Sequence, residues 1–382
     1  MRYVDVLAHQ SRRVVSVDVL RGFSLVSILG DGGTILALAD MAHGKRPVIT
    51  AIGGFLDVQF QHSAWEGFTF YDFVFPLLIF IVGVSIVLSL QPLVESDGRL
   101  SAHLRVWRRT LLLYGLGVIY YGGVRHGWAN IHWVGVLQRI AICYLFTSVM
   151  FLNFNLRGLI AAFVVLLVGY WAVMTFVPVP GIGAGNFAPD QNLADWIDAN
   201  YLPGWLWDQT RDPEGLLSTL PAIASCLLGV FAGLILRDIS LKPQQKSLSL
   251  IGAGVLLIIG GHLWAILQFP IIKDIWTSSF VLVAGGYSAI LLGVMHQVVD
   301  VWGQRRWATI FVWIGSNAIL LYFVDGFVTQ RIATHLVRGD IGQFFDQLVT
   351  KGTGLFVANL VGLGIVVLLA RFLYRRQNFL RV

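Results

Sequence analysis

Charge is scarce in this sequence. Only 13% of its 382 residues are Asp, Glu, Lys or Arg, about half the fraction of an ordinary soluble chain. A water-soluble globule is therefore excluded. Cysteine is nearly absent too. Cys143 and Cys226 both fall inside apolar runs, where a thiol reads as a small buried hydrophobe, so neither a disulfide framework nor a metal site is expected. Soluble-enzyme signatures are missing: there is no P-loop, dinucleotide fingerprint, HExxH motif or nucleophile elbow. No inverted repeat of broken helices stands out, which would have favoured a secondary transporter. Arg12 and Arg13 precede the first apolar run without a small-residue cleavage site, so that run is expected to stay in the membrane rather than be removed as a signal peptide.

What the chain has is apolar length. It is 56% hydrophobic with 41 Gly and 13 Trp, and its mean hydropathy is +0.73. Uncharged runs recur along it at about the 20 residues that cross a hydrocarbon core. Glycine lets such helices pack closely, and tryptophan anchors them at the interface. The expectation is an all-α polytopic integral membrane protein, a single domain over 1–382. About ten transmembrane helices are expected, at roughly 19–39, 69–91, 106–124, 132–153, 156–178, 216–236, 247–268, 276–299, 307–329 and 353–373. "LGDGGT" interrupts the first with Asp31 and three glycines, which suggests a break lining a polar cavity.

The pI of about 9.4 is a topology signal rather than a nucleic-acid footprint. Seventeen Lys and Arg fall on one side of the expected spans and eight on the other. The excess places both termini in the cytoplasm and the long 179–215 loop outside it. For the basic cluster "RVWRR" at 105–109, orientation and anionic-lipid contact are one reading. A phosphorylated cytoplasmic ligand is the sharper one. The 179–215 loop carries Asp190, Asp195, Asp198, Asp208, Asp212 and Glu214 among Trp196, Trp205 and Trp207. Acids and aromatic faces together grip sugars, but a solvated acidic loop with interfacial Trp anchors has the same composition.

The stretch "QHSAWEGFTFYDFVFP" sets His62, Glu66 and Asp72 at the threshold of the second span. Asp72 reads as a carboxylate at a helix N-terminus. His62 is either a solvated interfacial histidine or a general base near neutral pH. Arg139 and Asp31 lie inside spans, where ionisable groups mark polar cavities. Asn317 in "GSNAILLYF" is a milder intrusion, suited to helix–helix hydrogen bonding. Asp18 and Arg21, one turn apart, are expected to pair.

Seven blocks occur in an order that resembles the heparan-α-glucosaminide N-acetyltransferase family, from about residue 12 to 325: "SVDVLRGFSL", "QHSAWEGFTFYDFVFPLLIFIVGVS", "GVLQRIAICY", "NLADWID", "DPEGLLSTLPAIASCLLGV", "FPIIKDIWTSSFVLVAGGYSAILL" and "GSNAILLYF". The resemblance implies an acetyl-CoA-dependent transmembrane acyltransferase in a bacterial inner membrane. Acetyl-CoA would enter from the cytoplasm, and the acetyl group would pass to an amino sugar or related glycan on the other side. It implies His62 as the catalytic residue, in the block completed by Trp65 and Gly67. Where the animal enzyme has an Asn before a Gly-Gly, this chain reads "LGDGG", so Asp31 is the expected partner of His62. Trp65, Glu66, Asp72, Asp198, Asp212 and Glu214 are the candidates for the acceptor. Arg105, Arg108, Arg109, Arg139 and Asn317 are those for CoA. Lipid and a second copy of the chain are candidate partners. A small-sugar transporter or flippase, and a catalytically inactive family member, are the alternatives.

Overall fold

The computed structural model describes residues 14–42, 47–125, 127–325, 340–350 and 352–377. Among them the chain is all-helical, with no β-strand. Helix α1 (Val15–Val26) passes through a π-turn, Ser27–Asp31, into α2 (Gly32–Ala42), and α3 (Pro47–Gln59) follows. Then come α4 (Phe70–Tyr120), α5 (Val136–Asn153), α6 (Leu156–Phe176), the short α7 (Leu193–Tyr201), α8 (Thr219–Arg237) and α9 (Pro243–Ile266). Helix α10 (Ser278–Met295) runs on through a π-turn to Val301, followed by α11 (Thr309–Gly315), α12 (Ala318–Val324), α13 (Asp340–Leu348) and α14 (Thr353–Arg375).

Seven helices among the described residues are long and apolar enough to cross a membrane: α4, α5, α6, α8, α9, α10 with its extension, and α14. The protein is a membrane protein. The expected count of ten is not reached by that measure, for two physical reasons. The expected first and ninth spans are broken, one at the Ser27–Asp31 π-turn and the other between α11 and α12 at Ser316 and Asn317. The expected second and third spans both lie in α4, whose backbone leaves helical geometry at Gly98 (φ 82°, ψ 171°), a region glycine enters without steric cost. A straight helix would part Leu78 from Leu113 by about 52 Å at ~1.5 Å per residue. Both line one cavity of about 440 Å³, so the two arms of α4 double back at Gly98.

The layers follow from burial. In α4, α8 and α10 72% of the most apolar window is buried, against 22% in α6 and 17% in α9. The first three form the centre, and α6 and α9 present Val164, Val165, Leu256 and Ile259 outward. In lipid the hydrophobic effect does not drive helices together, so close packing must. At the centre Gly83 and Gly229 provide it. A Cβ on Gly83 would meet the Cys226 carbonyl oxygen at 1.9 Å, and one on Gly229 the Phe80 carbonyl oxygen at 1.9 Å.

Candidate active site

Three loops meet at one end of the bundle. The segment before α4 pairs with the α9–α10 connection through a Glu66–Ile272 backbone bridge and Gly67 N–H donating to Ile271 O at 2.9 Å. It meets the long loop before α8 through Trp65, whose Nε1 donates to Phe187 O at 2.8 Å and whose ring lies 5.0 Å under the Arg211 guanidinium. The α9–α10 connection is itself held from within. Ile272 N–H donates to Thr277 Oγ1 at 3.1 Å, Tyr170 OH donates to Ile275 O, and buried Trp276 donates from Nε1 to Ser225 Oγ at 3.1 Å.

At this junction stand His62, Asp72 and Lys273. Asp72 opens α4 in a capping box with Thr69, as its place at a helix start suggests. Its Oδ2 accepts from Thr69 N at 3.2 Å, Thr69 Oγ1 at 3.1 Å and Ser63 N at 3.1 Å. Its Oδ1 faces outward and lies 2.8 Å from His62 Nδ1. Asp72 is wholly buried, while half of the His62 side chain is exposed. An ionised carboxylate can only accept, so this contact puts the imidazole proton on Nδ1 and leaves Nε2 as an acceptor. The Tyr71 ring packs 4.6 Å from the imidazole. Lys273 Nζ is 2.9 Å from His62 Nδ1, 3.2 Å from Nε2 and 3.8 Å from Asp72 Oδ1. Burial pulls the Lys273 ammonium below its ordinary range, opposed by the charges of Asp72, Asp274 and Glu214.

Behind the junction lies an acidic layer around Arg139. That guanidinium is buried, stacks 5.0 Å from the Trp276 ring, and donates to Gly215 O at 3.2 Å and to Ser218 Oγ. Burial pushes the Glu214 carboxyl well above the ordinary carboxylate range, against the pull of Arg139 and Lys273. Asp198 is pushed up to about 7 and Asp195 to about 6, both by burial. His132 is buried here too, donating from Nδ1 to Trp205 O at 2.8 Å.

The doubled α4 encloses the cavity of about 440 Å³ with α1, α5, α11 and α12. Arg21, Arg105, Arg108 and Arg109 line it together with Ser85 and Ser89. Arg21 comes from α1, and on the two arms of α4 the others lie toward the Gly98 turn. Leu78, Leu113 and Val136 line the more apolar opposite part, with Asn317 and Tyr322 on the α11–α12 wall. Leu78 is about one and two-thirds turns beyond Asp72, about 9 Å along the helix.

Over 97% of its length the chain is 27% identical to heparan-alpha-glucosaminide N-acetyltransferase of Homo sapiens and 26% identical to that of Mus musculus. The chain is similar to these two enzymes along nearly its whole length. It spans about 60% of the length of the human relative and 61% of the mouse one. No family model matches the chain.

The structure brings some expected residues together and separates others. His62, Trp65, Glu66 and Asp72 share the junction, where exposed Glu66 contributes its backbone to the loop pairing. Asp198 and Asp212 are buried and engaged with their own loop: Asp198 Oδ1 accepts from Leu216 N at 2.9 Å, and Asp212 from Trp207 N and Glu214 N, each at 3.0 Å. Arg105, Arg108, Arg109 and Asn317 share the cavity, whereas Arg139 sits apart from its lining. Asp18 pairs with Arg21 at 3.3 Å. The Asp31 side chain lies outside the described residues, as do Lys45 and Arg46. Sequence reasoning missed Lys273, which it counted only as a loop charge. Its place inside the block "FPIIKDIWTSS" was the available signal.

Proposed function

We propose that the chain is a transmembrane acyltransferase that moves an acetyl group from cytoplasmic acetyl-CoA to the amine of an amino sugar or related glycan on the extracytoplasmic side. The observation that carries this reading is the half-exposed His62 imidazole held through Nδ1 by buried Asp72. The family likeness adds to it, because both relatives are named as N-acetyltransferases.

The chemistry needs a base on the acceptor side. The amine lone pair attacks the thioester carbonyl carbon, and the N–H proton passes to His62 Nε2. As the C–S bond breaks, that proton passes to the departing thiolate, and His62 returns to its neutral form. Asp72 holds the tautomer and orientation, in the manner of a triad carboxylate. The donor needs a basic port. Four arginines around one cavity suit the CoA phosphates, and the apolar part beyond them suits the pantetheine arm. The excess of Lys and Arg on one side supports both termini being cytoplasmic and the 179–215 loop extracytoplasmic. The paired breaks α1–α2 and α11–α12 then complete about ten crossings. The second of these breaks, at Ser316 and Asn317, borders the cavity, where irregular backbone is tolerated at membrane depth.

The test is CoA release from acetyl-CoA by the purified protein with an amino-sugar acceptor, followed with acetylation of the amine. Wild type is expected to release both products in equal amounts and His62→Ala neither. Sugar movement into vesicles without thioester cleavage would establish the transporter alternative instead. Failure to bind CoA thioesters would leave the inactive-member reading.

A further inference from the structure

We infer that Lys273 is a catalytic residue, its ammonium stabilising the oxyanion that forms on the thioester carbonyl as the amine attacks. The inference rests on the acyltransfer reading above and adds to it the group that the chemistry otherwise lacks. Acyl transfer needs two partners for one carbon: a base for the attacking nitrogen and a donor for the oxygen that gains charge. His62 Nε2 meets the first need. Lys273 Nζ lies 3.2 Å from that nitrogen, within hydrogen-bond reach, so bound substrate draws the ammonium from Nε2 to the carbonyl oxygen and frees Nε2 to act as base on the adjacent nitrogen.

The position is preorganised. Lys273 sits in a connection fixed by the Glu66–Ile272 bridge, by Thr277 accepting from Ile272 N at 3.1 Å and by the buried Trp276 that follows Asp274 and Ile275. Only 13% of its side chain is exposed, and a charge in such a place acts through less water than one at a surface. Burial works against its ammonium form, and the charges of Asp72, Asp274 and Glu214 favour it. Lys273 makes a long ion pair with Asp72, 3.8 Å from Nζ to Oδ1. The nearer contacts are to the imidazole.

In the step, the amine lone pair forms the C–N bond, and the carbonyl π electrons move to oxygen beside Lys273 Nζ. Collapse of that oxyanion expels the CoA thiolate, which takes the proton from His62 Nε2. Lys273 keeps its proton throughout.

The test compares Lys273→Met, Lys273→Gln and Lys273→Arg with wild type in steady-state turnover of acetyl-CoA and of fluoroacetyl-CoA. Lys273→Met is expected to lower kcat by about 10²–10³-fold, with CoA affinity unchanged, and Lys273→Arg to stay within about tenfold of wild type. The electron-withdrawing fluorine stabilises the oxyanion by itself, so the deficit of Lys273→Met should narrow with fluoroacetyl-CoA. A purely structural role would leave that ratio unmoved and overturns the inference. So does a kcat for Lys273→Met above half of wild type. If Lys273→Met does not fold, Lys273→Gln is decided by the same two readouts. Absence of wild-type turnover would sink the acyltransfer reading and this role with it, whereas active wild type with active Lys273→Met sinks the role alone.

Discussion

The Arg109 guanidinium lies 4.6 Å over the ring of Tyr144 on the wall of the basic cavity. The contact holds a cation toward the cavity that the proposed function gives to CoA. A cation–π pair contributes about 0.5–1 kcal/mol at such a place, so Tyr144→Leu is expected to weaken CoA binding by a few-fold. Arg105→Glu with Arg108→Glu should weaken it more than tenfold, a change of about 1.4 kcal/mol, and added salt should weaken it in wild type. Titration calorimetry in detergent reads all three. An affinity indifferent to charge reversal and salt would leave the cluster with an orienting role only.

His62 and Asp72 act as one unit in the proposed mechanism. His62→Ala is expected to abolish turnover, and Asp72→Asn to lower kcat by about 10²-fold or more. The double variant should be little worse than His62→Ala alone. Thr69→Ala is the control for the helix cap: it should lower stability by about 1 kcal/mol with a far smaller effect on kcat. Equal losses for Thr69→Ala and Asp72→Asn would reduce Asp72 to a cap.

The buried Asp198 gives stability a definite pH dependence. Burial pushes its carboxyl up to about 7, above the ordinary value near 3.8 for an unfolded chain. Between those values the folded state holds the extra proton, so stability falls as pH rises through this window and levels off above it. Asp198→Asn keeps an acceptor for Leu216 N–H and removes the ionisation. Its melting temperature in detergent should therefore change less between pH 5 and pH 8 than that of wild type. An equal or steeper decline would contradict the assignment.

The crossing of α4 and α8 should tolerate no side chain. Gly229→Val places atoms where the Phe80 carbonyl already stands, and overpacking of this kind costs about 1–3 kcal/mol or more. Gly98, with nothing within 4 Å of an added Cβ, is limited by its positive φ alone. Gly98→Asn and Gly98→Val should both destabilise, because a φ of 82° with a ψ of 171° is almost closed to any residue with a Cβ. Detergent melting curves rank the three.

The long helices were legible in the sequence because crossing lipid demands a length and an apolarity that few other contexts share. Short pieces were not. The α11–α12 break and the π-turn after α1 leave a hydropathy run looking continuous, and only Asp31 with its glycines hinted at the second. In the site, His62 and Asp72 were each legible, one as a candidate base and one as a helix-start carboxylate. Their partnership was not, because spacing does not say which oxygen of a cap faces outward. Lys273 lies 211 residues from His62, and the contact exists only because two loops pair. Asp198 and Asp212 looked like acids free to grip a sugar. Composition cannot distinguish a carboxylate facing water from one accepting its own loop's N–H groups.

One carboxylate in this protein has two duties that pull on a lineage differently. Asp72 starts a membrane helix with one oxygen and holds an imidazole with the other, so a change there is felt by folding before it is felt by turnover. His62, half exposed, has no comparable share in the helix start. Decay of the proposed activity in descendants should therefore begin at the histidine and spare the aspartate. A natural sequence that keeps the aspartate at this threshold and has lost the histidine would be a retired enzyme that still folds.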